Sequence, residues 1–330
     1  VLKIGSVRIP NPIALAPMAG FTDTSARRIA KRFGAGLVYS EMMSAAGLVR
    51  RQPATLAMLA FHAEEQPYGV QIFGAEPAEM ADAARLVQDR GASIVDINMG
   101  CPVKRVCRNG AGAALLRRPR QVEAILREVR RAVTCPVTVK MRLGWDTTDL
   151  SVLEVSRIAE EQGVDAITLH PRTRAQGYAG RADWSWVARL KQERGIPIIG
   201  NGDLVEPQGC AAALASGCCD GIMIGRAARG HPWIFSQTLE VLSGREPAEP
   251  SLELRYGAIL LHMEWLFSQY GREQGLRRMR FLLFQYVRGL PGAARFRRDL
   301  VRQPSEEALK ALLRAHFLEG ASGGADLQES

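Results

Sequence analysis

The stretch Ile94–Pro102, IVDINMGCP, sets a carboxamide and a thiol directly after a β-branched apolar run. Ile94, Val95 and Ile97 read as a buried strand, so Asn98 and Cys101 fall at its carboxyl end, where a parallel barrel mounts its reacting groups. A thiol so placed can give a proton, and an amide beside it can hold a carbonyl oxygen. The alternative is an inert cysteine behind a core strand, the common fate of a lone buried Cys. That alternative leaves unexplained why Gly100 and Pro102 punctuate the strand end and why the next stretch is basic. Lys104, Arg105, Arg108, Arg117, Arg118 and Arg120 follow with no acidic residue among them. A thiol beside an uncompensated cationic loop points to a polyanionic substrate.

Other reactive types recur at the ends of other apolar runs. Pro17, Met18 and Ala19 follow the first run, Glu41 the second, and Gln71 closes the third; Lys140 and Arg142 close the fifth, and His170 and Arg172 the sixth. Asn201, Gly202 and Asp203 end the seventh, and Gly225 and Arg226 the eighth. Glycine-rich turns at the last two positions offer backbone N–H groups to a phosphate, and Arg226 adds a charged clamp. Together they argue for a phosphorylated cofactor, and the absence of GxGxxG after the first run disfavours a dinucleotide fold. Lys140 reads either as a Schiff-base amine or as a fixed cation; between Gln71 and His170 it suits the polar edge of a flavin. His170 reads as a satisfied core histidine or as a cofactor contact.

The elements that must position these groups are eight short runs: Ile13–Ala16, Leu37–Ser40, Gly69–Ile72, Ile94–Ile97, Val137–Met141, Ala166–Leu169, Ile196–Ile199 and Gly221–Ile224. Amphipathic stretches alternate with them at Thr24–Phe33, Pro77–Arg90, Pro119–Ala132, Leu150–Gln162, Trp184–Glu193 and Pro207–Ser216. This pattern predicts an α/β fold, a closed (β/α)8 TIM barrel over residues 1–243, with a doubly wound open sheet as second choice. The breaker-rich GREPAEP, Gly244–Pro250, marks a boundary to a smaller all-helical domain over 244–320, with helices expected at Leu252–Tyr270, Gln274–Leu290 and Ser305–Glu319. The tail, 321–330, is expected to be disordered.

Of 330 residues, 43 are Lys or Arg and 34 are Asp or Glu, for a net charge of +9. The excess is local: Gly271–Arg302 holds nine arginines against Glu273 and Asp299. Such clustering is the footprint of nucleic-acid binding, unless it is merely a solvated helix face. The six cysteines show no CxxC spacing, so no disulfide scaffold and no metal site are expected. With no membrane-length apolar run and no leader at Val1, a cytoplasmic protein is expected.

The motifs APMAGFTD (Ala16–Asp23), SEMM (Ser40–Met43), DINMGCP (Asp96–Pro102), VKMRLGW (Val139–Trp145), LHPRTR (Leu169–Arg174), GNGD (Gly200–Asp203) and MIGRAARGHPW (Met223–Trp233) closely resemble the tRNA-dihydrouridine synthases, nearest their bacterial B-type branch. YGREQG (Tyr270–Gly275) and ARFRRDL (Ala294–Leu300) carry the likeness into the helical segment. The resemblance implies an FMN enzyme that uses NADPH (or NADH) to reduce the 5,6 double bond of particular uridines in tRNA. It places Pro17, Met18, Ala19, Gln71, Lys140, Asn201, Gly202, Asp203, Gly225 and Arg226 at the FMN, His170 at the flavin edge, and Cys101 as the catalytic acid. Asn98, Arg142 and Arg172 are expected at the substrate, although Pro171, where B-type relatives often have a small residue, leaves the direction of Arg172 open. Lys104, Arg105, Arg108, Arg277, Arg278, Arg280, Arg295, Arg297 and Arg298 are expected at RNA phosphates, with no obligate protein partner. Three other readings stay open: the same chemistry on ribosomal RNA, a free-pyrimidine or dihydroorotate-type flavin oxidoreductase, and a non-catalytic RNA-binding protein.

Overall fold

The computed structural model describes residues 2–319; the expected tail at 321–330, and Gly320, lie outside the described residues. At its centre are eight parallel strands: β1 (Ile13–Leu15), β2 (Leu37–Tyr39), β3 (Tyr68–Phe73), β4 (Ile94–Met99), β5 (Val137–Arg142), β6 (Ala166–His170), β7 (Ile198–Asn201) and β8 (Gly221–Ile224). Each is buried on both faces, which is why the sequence shows continuous apolar runs rather than alternation. The order β2-β1-β8-β7-β6-β5-β4-β3 closes on itself where Val38 faces Tyr68 and Tyr39 faces Gly69. That closure is the (β/α)8 barrel, and it removes the open sheet.

Helices α1 (Thr24–Arg32), α2 (Pro77–Asp89), α3 (Pro119–Ala132), α4 (Val152–Glu161), α5 (Ser185–Glu193), α6 (Pro207–Ala215) and α7 (Ile234–Leu242) pack outside the strands. Their starts are written in the chain. Asp23 caps α1 through its carboxylate on the Ala26 N–H at 3.0 Å, and prolines open α2, α3 and α6, where a missing N–H costs nothing.

The structure departs from expectation at three places around the barrel. The seventh strand runs Ile198–Asn201 instead of Ile196–Ile199: Pro197 has no N–H for the ladder at its start, and Asn201 pairs with Met223 at its end. An unexpected hairpin, Leu2–Ile4 with Val7–Ile9, packs Ile4 and Ile9 against Ala14, Leu37, Ile94, Ala166 and Ile199 and covers the amino-terminal end of the barrel. The link between β2 and β3 carries a two-residue strand, Met43–Ser44, that extends the edge of β3.

Beyond the barrel the helices expected at Leu252–Tyr270 and Gln274–Leu290 are present as two helical segments within Leu252–Tyr286, together α8, separated at Gly271, whose non-helical φ of 76° and ψ of 167° glycine adopts cheaply. Helix α9 (Ala293–Leu300) is additional, and α10 (Glu306–Arg314) begins where Ser305 accepts from the Ala308 N–H at 3.2 Å. A second core joins this region to the barrel: Phe21, Ala26 and Trp233 pack with Met263, Leu266, Leu283, Tyr286 and Phe296. The helical region therefore sits on the side of the barrel that carries the loops after β1 and β8. No helix among the described residues is long and apolar enough to cross a membrane.

Candidate active site at the carboxyl rim of the barrel

A cleft of about 320 Å³ opens where the strands end. All eleven positions expected at a cofactor, from Pro17 to Arg226, line it, together with Asn98, Cys101 and Arg142. Register explains the convergence: Asn98 pairs with Lys140, Gln71 with Asp96, and Arg142 with His170, so side chains from β3 to β6 meet at one height. The cleft also takes Met42, Tyr178, Val205 and Arg229, which strand periodicity had no means of finding because loops carry them.

Cys101 is held by a chain of hydrogen bonds that starts in the barrel core. Buried Asp96 accepts from Thr138 Oγ1 and from Gln71 Nε2, both at 2.6 Å. Gln71 Oε1 in turn accepts from Asn98 Nδ2 at 2.7 Å, and Asn98 Oδ1 accepts the N–H of Cys101 at 2.9 Å and of Gly100 at 3.2 Å. The Cys101 carbonyl is fixed from the far side by the Ala113 N–H at 3.1 Å. Burial pushes the Cys101 thiol above its ordinary pKa, with the Val103 N–H, Arg142 and Lys140 opposing, so it stays protonated at neutral pH. Asn98 keeps one N–H unengaged except for a 3.9 Å approach to Met42 sulfur.

Burial also raises Asp96, to about 6, against the pull of Thr138, Gln71 and Lys140. Because the folded pKa lies above the unfolded one, this carboxyl loses the protein stability as pH rises from about 4 to 6, on the order of 2 kcal/mol. Asp96→Asn keeps an acceptor for Gln71 and can donate to Thr138. Thermal melts across this range should therefore show the variant gaining on the parent as pH rises from 4 to 6; a constant difference would mean that Asp96 does not titrate there.

Lys140 Nζ donates to Asn201 Oδ1 at 2.9 Å, and Asn201 Nδ2 to the Met223 carbonyl at 2.6 Å, which ties β5, β7 and β8 together across the barrel. Burial and then Arg142 lower its pKa to about 8, with Asp96 opposing. His170 is held neutral far below its ordinary pKa, first by burial and then by Lys140, Arg142, Arg172 and Arg226. Its Nε2 faces Arg172 Nη1 at 3.2 Å and so must accept, leaving the proton on Nδ1.

Arg142 and Arg172 part ways. Arg142 donates Nε to the Gly100 carbonyl at 2.9 Å and Nη1 to the Thr173 and Gly177 carbonyls at 3.0 and 2.8 Å; among the described residues its Nη2 has no such partner. Arg172, expected at the substrate, does not line the cleft. Its Nη2 reaches both Asp203 carboxylate oxygens at 2.8 Å and the Gly180 carbonyl at 2.6 Å. It thereby lies in the wall, where it fixes the turn after β7. That turn runs left-handed through Gly202 (φ 110°) and Asp203 (φ 56°), and a Cβ at Gly202 would stand 2.9 Å from the His170 ring.

The N–H groups of Asp203 and Arg226 find no backbone acceptor among the described residues. The Arg226 guanidinium lies 4.1 Å over the Tyr178 ring, and no carboxylate among the described residues pairs with it. Unpaired donors at two neighbouring strand ends, beside a cation, fit a phosphate.

The cationic residues divide by exposure. Lys104, Arg105 and Arg108 are exposed on the short helix Lys104–Arg108 directly after Cys101. Arg277, Arg295 and Arg298 are exposed on the helical region, the first two facing Glu273 and Asp299 at 3.4 and 3.8 Å. Arg280 and Arg297 instead turn inward to the carbonyls of Gln303 and Phe284 and hold helices together. Arg278 stacks 3.9 Å over Tyr270 and faces Asp23 of the barrel at 3.7 Å. Among the described residues no group of three or more His, Cys, Asp or Glu could hold a metal ion.

Fold and cleft together are those of a (β/α)8-barrel enzyme with a half-buried thiol and unpaired N–H donors on its carboxyl rim. The family model described as dihydrouridine synthase matches residues 14–322, and the chain belongs to that family. It is 40% identical over 326 residues to the tRNA-dihydrouridine synthase B of Pseudomonas aeruginosa, covering 98% of each chain. It is 41% identical over 312 residues to the protein of that name from Pasteurella multocida, covering 93% of this chain and 94% of that one. Among solved structures it resembles a 2-naphthoyl-CoA reductase (TM-score 0.57, 15% identity) and the histamine dehydrogenase of Rhizobium sp. 4-9 (TM-score 0.55, 16% identity). It covers 74% and 80% of its own length in these matches but only 52% and 50% of those chains, so the likeness is one of fold.

Proposed function

We propose that this chain binds FMN in the rim cleft, takes reducing equivalents from NADPH (or NADH), and reduces the 5,6 double bond of particular uridines in tRNA to dihydrouridine, in the cytoplasm. One observation carries the reading: a thiol kept in its acid form by burial, on backbone that Asn98 holds in place, in the same cleft as the unpaired donors suited to a phosphate. The B-type names of the relatives support tRNA as the substrate.

FMN, when bound and reduced, supplies a hydride for uracil C6. The protein's own residues do the rest. Negative charge then grows on the C4 carbonyl oxygen, and the unengaged Arg142 Nη2 and second Asn98 N–H are the donors suited to it. Cys101 gives its proton to C5, and Lys140 and Arg142 stabilise the thiolate left behind. Asp203, fixed by Arg172, shapes the turn whose N–H groups, with Arg226, hold the phosphate. Neutral His170 is a contact at the cofactor edge and not an acid. The target base must leave its stack to reach this depth, and the exposed cations give the RNA its grip. A free-pyrimidine reductase has no use for those cations, and a non-catalytic RNA binder has none for the Cys101 network.

The deciding experiment maps dihydrouridine in RNA from cells lacking, and then regaining, this protein. Specific tRNA positions should lose and recover the base; loss confined to ribosomal RNA, or no loss, overturns the reading. Acid denaturation of the purified protein should release FMN, and Arg226→Ala should weaken FMN binding roughly tenfold. Release of FAD, or unchanged affinity in the variant, counts against the cradle.

A further inference from the structure

Helix α8 buries Met279, Leu282, Leu283 and Tyr286 but leaves Phe281 61% exposed. One exposed apolar side chain is ordinary in itself. Its setting is not. Residues three, four and seven apart share a helix face, so Arg277, Arg278, Gln285 and Arg288 surround the ring. Arg277 and Arg288 are exposed, and no aromatic ring or guanidinium among the described residues stacks on Phe281.

The same face touches the barrel at two points. Arg278 faces Asp23 at 3.7 Å, and Gln285 approaches Gly230 so closely that a Cβ there would meet the Gln285 carbonyl carbon at 2.5 Å. Asp23 follows the cleft-lining turn Pro17–Ala19, and Gly230 follows the cleft-lining segment Gly225–Arg229. Phe281 is thus anchored above and below to the two loops that form one side of the active-site mouth.

We infer that Phe281 is a stacking platform for an unpaired nucleobase of the RNA substrate, with the flanking arginines on its phosphates. The inference rests on the RNA reading above. Aromatic rings interleaved with cations suit single-stranded RNA, because every base has a face to stack while the backbone supplies the charge. A protein partner would also bury a phenylalanine, but a surround this cationic favours a polyanion.

The test uses the full-length holoenzyme and an unmodified tRNA transcript, with the dissociation constant measured across a salt series. Phe281→Ala should weaken binding roughly tenfold, leave the log–log salt slope unchanged because no phosphate contact is lost, and keep the melting temperature; Phe281→Tyr should restore affinity. In Phe281→Trp, indole fluorescence should be quenched by the transcript and not by a fully paired RNA duplex of equal length. Parent affinity in Phe281→Ala, or equal quenching by the duplex, overturns the platform while leaving the RNA reading intact. A parent holoenzyme that binds no transcript overturns both.

Discussion

Cys101→Ala is expected to lower uridine reduction by roughly 10²–10⁴-fold while reduction of the bound flavin by NADPH continues at the parent rate. The two half-reactions separate because the proposed role of the thiol is to protonate C5, a step that flavin reduction does not include. Its position depends on backbone contacts, the Asn98 amide on its N–H and Ala113 on its carbonyl, so removing sulfur leaves the loop in place and the melting temperature close to the parent's. The pH profile adds a second signature. A group that acts as an acid is lost as pH rises through its pKa, and burial moves the Cys101 pKa upward. The parent's uridine-reduction step should therefore be flat through neutrality and fall only above the ordinary thiol range. Stopped-flow flavin absorbance and single-turnover dihydrouridine yield measure the two halves. Parent-like turnover of tRNA by the variant would make Cys101 a structural residue.

The barrel was legible because strands buried on both faces must be continuous apolar runs, and eight such runs separated by amphipathic stretches admit few architectures. Position along a strand was legible for the same reason. Once Ile94–Ile97 is buried, Asn98 and Cys101 have to emerge at its end, and Gln71, Lys140 and His170 likewise on their own strands. What strand pattern does not encode is where a side chain goes after it leaves the strand. Arg142 ends β5 and borders the cleft, whereas Arg172 lies two residues beyond the end of β6 and clasps Asp203 and the carbonyls of Ala179 and Gly180, partners that no periodicity reveals. Tyr178 and Met42 reach the cleft on irregular backbone. The amino-terminal hairpin escaped notice because three-residue strands are too short for alternation to register. Helix α9 escaped because its charged stretch reads as RNA-binding surface before it reads as helix.

Charge clustering was equally ambiguous, and the structure divides it into two sets with opposite expected behaviour. Replacing exposed Arg277, Arg295 and Arg298 together with Ala should weaken tRNA binding roughly a hundredfold at physiological salt and flatten the log–log salt slope by up to about three units, since each phosphate contact releases about one counterion. Their partners, Glu273 and Asp299, form exposed pairs of little stabilising value, so the melting temperature should barely move. Arg297→Ala should do the reverse. Its Nη2 bonds the Phe284 carbonyl at 3.2 Å in a half-buried setting, and truncation leaves that acceptor unpaired, at a cost of about 1–3 kcal/mol. The helical region should melt earlier while the salt slope stays at the parent value. Dissociation constants over a salt series, taken beside melting curves for parent, triple variant and Arg297→Ala, separate the sets. An unchanged slope in a fully folded triple variant would remove these three arginines from the RNA interface and leave Lys104, Arg105 and Arg108 beside Cys101 as the cations that hold the substrate.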